Sequence, residues 1–287
     1  MSESNQLEIP GVVTLTTGEG GLRKAVIRSP RSSAEIYLHG AHVAAFQRHG
    51  EEPLLFMSGS SAFAPDKPIR GGIPIIFPWF GGREGMPAHG FARTAEWELG
   101  ETTVRVDGTV CLRFALPDGG GFEVGYTVTV GESLGLELSV RNTGDEDADF
   151  ESCLHTYFLV SGIDGISITG LSDTGYFDKV REVEALETSP YIRIEGEVDR
   201  VYSDTAAVVE IEDPGFGRLI RIEKTGSNST VVWNPWIAKS RSMADFGDEE
   251  YLRMVCVESG NVARNKITLA AGERSVMKVE VGSRPLA

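Results

Sequence analysis

Four things are scarce or missing in this chain of 287 residues. Cysteine is the first. Only Cys111, Cys153 and Cys256 occur, an odd number, far apart and without a Cys-x-x-Cys pair. That excludes a disulfide framework and a zinc ribbon, and leaves buried thiols in a reducing, cytoplasmic setting as the expectation. Long apolar runs are the second. No stretch approaches the roughly 18 apolar residues of a membrane span. Residues 1–10 also lack the basic and apolar regions of a secretory signal. The third is positive charge: 27 Lys and Arg stand against 42 Asp and Glu, for a net charge of −15. Nucleic acid and anionic membranes are therefore disfavoured as partners. An anion bound by such a chain must meet a local cluster of cations, because screening over about 8 Å makes local charge count more than the total. Last, helical rhythm is missing. No βαβ alternation, internal repeat or low-complexity linker divides the chain, which argues against a parallel α/β fold.

What is present is β patterning. Phe122, Val124, Tyr126, Val128 and Val130 alternate with Glu123, Gly125, Thr127 and Thr129. After Gly-Glu-Ser, Leu134, Leu136, Leu138 and Val140 do the same, which predicts a hairpin of two half-buried antiparallel strands. Further strands are expected at Val12 to Thr17, Lys24 to Arg28, Ala34 to Leu38, Thr109 to Leu116, Asp149 to Phe158, Thr230 to Trp233, Met254 to Glu258 and Val276 to Val281. One helical turn is expected near Gly247 to Leu252. The fold class is all-β: a single antiparallel β-sandwich domain over residues 1–287, with residues 1–9 frayed.

One stretch breaks the pattern. From Arg70 to Arg93 the chain is apolar and aromatic, interrupted throughout by Gly and Pro, with a cation at each end. Repeated Pro excludes a helix or a central strand there. An ordered irregular segment presenting Arg70, His89 and Arg93 is expected, with a packed core loop as the plainer alternative.

Single polar residues in apolar surroundings are the other signals. His155 interrupts the run from Ser152 to Phe158, and Glu258 ends the run that starts at Met254. A buried His needs a partner, and a carboxylate is seldom fully buried unpaired. Either residue could instead be structural. Asp199 opens Asp-Arg-Val-Tyr, where a surface ion pair is the simpler reading. Trp233 and Asn234 sit in Val-Trp-Asn-Pro-Trp, which suits sugar stacking and hydrogen bonding but also a core. His39 and His42 invite a metal, yet on a strand a spacing of three turns the rings to opposite faces. His49 lies in a polar turn.

Taken together, seven segments resemble the hexose-6-phosphate mutarotases of the aldose 1-epimerase superfamily. They are Arg70-Gly-Gly-Ile-Pro, Phe77-Pro-Trp-Phe-Gly, His89-Gly-Phe-Ala-Arg93, Leu154-His155-Thr156-Tyr157-Phe158, Asp199-Arg200-Val201-Tyr202, Val232-Trp233-Asn234-Pro235-Trp236 and Val257-Glu258-Ser259-Gly260-Asn261. They come in that family's order and cover the chain from about Val12 to Val281. The resemblance implies a galactose-mutarotase-like antiparallel β-supersandwich. It implies His155 as catalytic acid, with a nearby carboxylate to keep it protonated, and Glu258 as base. His89 and Asp199 then hold sugar hydroxyls, with Trp233 and Asn234 also lining the sugar. Arg70 and Arg93 contact the phosphate, and the backbone N–H groups of Gly71 and Gly72 could join them. The implied partner is a small sugar phosphate, with no metal and no cofactor; a monomer is the expectation. No role carries over to Arg83. Three alternatives stand beside this: an epimerase of unphosphorylated hexoses, a non-catalytic carbohydrate-binding sandwich, and a glycosidase. The last would want two opposed carboxylates, where this chain offers His155 and one.

Overall fold

The computed structural model describes residues 7–286. The expected hairpin forms from Phe122–Val130 and Leu134–Asn142, with burial alternating residue by residue along both strands. It lies within a nine-stranded antiparallel sheet. A four-stranded sheet covers residues 13–48, and an eight-stranded sheet carries Asp199, Trp233, Asn234 and Glu258. One apolar core joins all three, drawing Ile27 and Ile36 from the four-stranded sheet, Tyr126 and Ile220 from the nine-stranded sheet, and Phe158 and Val257 from the eight-stranded sheet. No helix among the described residues is long and apolar enough to cross a membrane.

Within the eight-stranded sheet, successive residues turn to opposite faces. Along Met254–Asn261, Val255 and Val257 enter the main core. Met254, Cys256 and Glu258 turn the other way, toward a satellite cluster that includes Tyr157 and Trp233. The neighbouring strand Ser229–Asn234 does the same, with Val232 inward and Trp233 outward.

The run expected from Asp149 to Phe158 is not one strand. It divides into Ala148–Phe150, which pairs with Ile267–Leu269, and then Ser152–Leu154 and Tyr157–Leu159, which both pair with Met254–Asn261. The two latter pairings share one register: Leu154 faces Ser259, and Tyr157 faces Cys256. His155 and Glu258 therefore occupy opposed positions where the ladder opens. At the opening, the His155 N–H donates to the Pro74 carbonyl at 3.0 Å and the Tyr157 N–H to that of Gly72 at 2.9 Å.

Three expectations need correcting. Residues 7–9 are not frayed: the Ile9 N–H donates to Val13, and Leu7 and Ile9 pack against the core. Residues 1–6 lie outside the described residues. An α-helix, Trp236–Ser242, has no counterpart among the expected elements, and the turn expected at Gly247 to Leu252 is a 3₁₀ turn, Glu250–Arg253. Finally, Gly72 does not offer its N–H to a ligand, because it donates to Phe56 at 2.7 Å. Gly72 has φ 57°, and a Cβ there would lie 2.4 Å from the Val43 oxygen. The glycine is needed for packing.

Candidate active site

His155 and Glu258 meet as the register requires. Nδ1 of His155 lies 3.3 Å from Oε1 of Glu258, with the residues 8% and 1% exposed. The other carboxylate oxygen accepts from the Cys153 thiol at 3.3 Å. The His155 ring stacks on Tyr157, with centroids 4.7 Å apart and planes 8° from parallel, and meets Trp233 edge-on at 5.8 Å. Nδ1 makes no hydrogen bond of its own.

Burial sets the protonation of this pair. It pushes Glu258 well above the ordinary carboxylate range, with the nearby Asp199 acting in the same direction. Burial likewise drives His155 well below the ordinary imidazole value, helped by His89, Arg70 and Arg93. The carboxylate beside it does not hold the His155 pKa up, because desolvation and the surrounding cations outweigh it.

The cations come from the irregular stretch. Arg70 donates through Nη1 to the Tyr157 hydroxyl at 3.0 Å, and through Nε and Nη2 to Oδ2 of Asp245 at 3.1 and 3.0 Å. Burial opposes its charge, but Tyr157 and Asp245 more than offset that and raise its pKa. Arg93 donates to the Ala88 carbonyl at 2.7 Å and, among the described residues, has no carboxylate ion-pair partner. Burial and then Arg70 bring it down to about 10. His89 has φ 64°, accepts from the Gly81 N–H at 3.2 Å, and lies 6.1 Å centroid to centroid from His155. Burial, Arg93, Lys179 and Arg70, in that order, lower it to about 3, so it faces the site as a neutral ring. Asp199 is 9% exposed and pairs with Lys179 at 3.3 Å, while Arg200 turns to the opposite face and pairs with Glu187 at 3.1 Å. The simple Asp199–Arg200 surface pair is thus not formed.

The structure brings together seven of the eight residues named from the sequence. Asn234 is the exception. It is fully buried: its amide nitrogen donates to the Tyr251 and Met254 carbonyls at 2.9 Å each, and its oxygen accepts from the Trp236 N–H. It anchors the start of the helix and has no polar atom left for a sugar. Asn234→Ala should therefore lower stability by about 1–3 kcal/mol for the partners it strands. KM of the folded fraction should stay unchanged. A raised KM at unchanged melting temperature would restore it to the binding set. His39 and His42 are both buried: His39 bonds the Lys67 carbonyl at 2.8 Å, and burial lowers His42 to about 3. His49 is exposed. Arg83 stacks over the Trp79 ring.

Two residues were not found from the sequence. Asp245 holds Arg70 across a separation of 175 positions, and no local pattern marks it. Lys179 sits over the Phe80 ring beside Asp199, on a hairpin whose sequence reads as surface.

Residues 23–282 match the family model described as Aldose 1-epimerase. A protein of Cenchrus ciliaris named "Putative glucose-6-phosphate 1-epimerase" is 36% identical, over 92% of this chain and 86% of its own length. A protein of the same name from Escherichia coli is 32% identical over 90% of both chains. The crystal structure of a "putative mutarotase" from Salmonella typhimurium superposes with a TM-score of 0.89 at 29% identity, covering 97% of this chain and 95% of that one.

Proposed function

The chain belongs to the aldose 1-epimerase family, and from that premise we propose that it interconverts the α and β anomers of a hexose 6-phosphate, glucose 6-phosphate first among them. In this reading Glu258 takes the proton of the C1 hydroxyl while His155 protonates the ring oxygen. The ring opens to the aldehyde, C1–C2 turns, and reclosure on the other face returns both protons. The pair needs one proton between its two members at every stage. The ion pair that starts ring opening and the neutral pair that ends it differ only in where that proton sits. A second proton, or the loss of the only one, stops the cycle, so turnover should be bell-shaped in pH.

One observation supports the phosphorylated substrate. In a protein of net charge −15, three cations gather around His89, beside the His155–Glu258 pair. Arg70 and Arg93 suit a phosphate dianion through charge-assisted, fork-shaped hydrogen bonds. Lys179 lies toward Asp199, where sugar hydroxyls would be held. The names of the two relatives agree with this choice. A second reading, an epimerase of unphosphorylated hexoses, draws on Asp245, which already neutralises Arg70.

Turnover of glucose 6-phosphate against glucose separates the two. We expect kcat/KM to favour the phosphate ester by at least about a hundredfold, from two charged hydrogen bonds of roughly 1.5–3 kcal/mol each. Equal values would leave the free hexose as the substrate. Binding of either sugar without any change in anomer ratio would indicate a carbohydrate-binding module.

A further inference from the structure

The cluster at the centre of the site contains one donor that the reaction does not use. Cys256 lies two residues before Glu258 on the same face of the strand and opposite Tyr157 in the register. One atom each of His155, Cys256 and Glu258, namely an imidazole nitrogen, the thiol sulfur and a carboxylate oxygen, lie within 4.8 Å of one another, and all three residues are buried. His155 Nδ1 points at this cluster with no hydrogen bond of its own, 3.3 Å from Glu258 Oε1.

We infer that His155, Cys256 and Glu258 form a site for a soft divalent cation of the zinc class, and that its occupation inhibits the enzyme. The donor set is one that zinc takes: nitrogen and oxygen at about 2.0–2.2 Å and sulfur at about 2.3 Å, in a tetrahedron whose last position is left for water or a substrate oxygen. Tetrahedral donors at those bond lengths stand about 3.3–3.6 Å apart. The His155–Glu258 separation of 3.3 Å already meets this. The thiol has to approach by at most about 1.2–1.5 Å, within the reach of a rotation about its Cα–Cβ bond. Charge balances as well: a dication with one thiolate and one carboxylate is neutral, which suits a dry site. Binding sends the thiol proton, and the proton shared by His155 and Glu258, to solvent. A bound cation occupies both groups proposed to move protons, so binding and catalysis exclude each other.

The probe is Cd²⁺, whose bond to a thiolate absorbs in the ultraviolet, with Zn²⁺ for inhibition. The intact protein should show the Cd²⁺–thiolate band at one equivalent. At a Zn²⁺ concentration ten times its Kd, about one tenth of the turnover should remain, recovered on adding chelator. Cys256→Ser should abolish the band and raise the Zn²⁺ needed for half inhibition by at least about tenfold. Cys153→Ala and Cys111→Ala should keep both. Glu258→Gln, read by the band alone, should weaken Cd²⁺ binding, which provides a second test if Cys256→Ser folds poorly. No band in the intact protein, or a band that survives Cys256→Ser, overturns the proposal. So does a band lost with Cys153 instead of Cys256. Because the band is read without substrate, the site stands or falls independently of which sugar the enzyme uses.

Discussion

Glu258→Gln and His155→Asn should each lower kcat for anomer interconversion by about 10²–10⁴-fold, the usual contribution of one positioned proton-transfer group. Gln keeps the shape and hydrogen-bonding capacity of Glu258, while Asn keeps a polar group at 155 and gives up the ring stacked on Tyr157. Neither should unfold the protein. Glu258 is 1% exposed with its pKa raised by burial, so the fold already bears the cost of desolvating it. A neutral amide removes that cost, and Glu258→Gln should melt no lower than the parent. The double variant should lose little more than either single one, because the two groups move one proton between them and act as a unit. Polarimetry on freshly dissolved α-anomer gives the rate, and circular dichroism gives the melt. Near-normal turnover in either single variant would remove that residue from the proposed chemistry. Fully additive losses would mean that the two residues act in separate steps.

The second large effect concerns the arginines. Arg70→Ala and Arg93→Ala should each reduce kcat/KM for the sugar phosphate by at least about tenfold, for a charged hydrogen bond worth roughly 1.5–3 kcal/mol. Activity on the unphosphorylated sugar should hardly move. Their surroundings make the two losses unequal. Among the described residues Arg93 pairs with no carboxylate and donates to the Ala88 carbonyl, so its removal deletes a cation and that one bond. Arg70 is held by Asp245, and its removal leaves that carboxylate facing the phosphate. Arg70→Ala should thus be the worse of the two, and Arg70→Ala with Asp245→Asn should recover part of the loss. Lys at either position should recover only a fraction, since an ammonium keeps the charge but not the planar fork. A parallel fall in both activities with a lower melting temperature would assign the arginines to bracing the Gly- and Pro-rich stretch, and the substrate to the free hexoses.

How far these features could be read from the sequence depended on distance along the chain. The hairpin at Phe122 to Val140 was legible because its two faces see different solvents, and alternation records that directly. His155 and Glu258 were legible as polar interruptions of apolar strands, where only a partner justifies burial. Their protonation was not, because it depends on Arg70, Arg93 and His89, which the fold delivers from 62 to 85 positions before His155 in the sequence. Asn234 was misread because an amide beside two indoles looks the same whether it faces a sugar or two main-chain carbonyls. The helix Trp236–Ser242 was missed because its short segment carries no apolar stripe of its own; Asn234, outside the helix, starts it. Asp245 and Lys179 have only tertiary reasons for being where they are.

The register that sets His155 opposite Glu258 has a consequence for how this protein can change. A slip of one residue by either strand would turn its side chain to the wrong face and take its core residues out of the core, so intermediate geometries are not available to gradual mutation. The groups proposed to hold the phosphate face no such constraint: Arg70, Arg93 and Asp245 all come from segments outside the long strands. On the proposed roles, chemistry and substrate choice can change separately. A lineage, or an engineer, can change Arg70, Arg93 and the loop at 243–249 to try other sugars while the proposed proton-transfer pair stays in place.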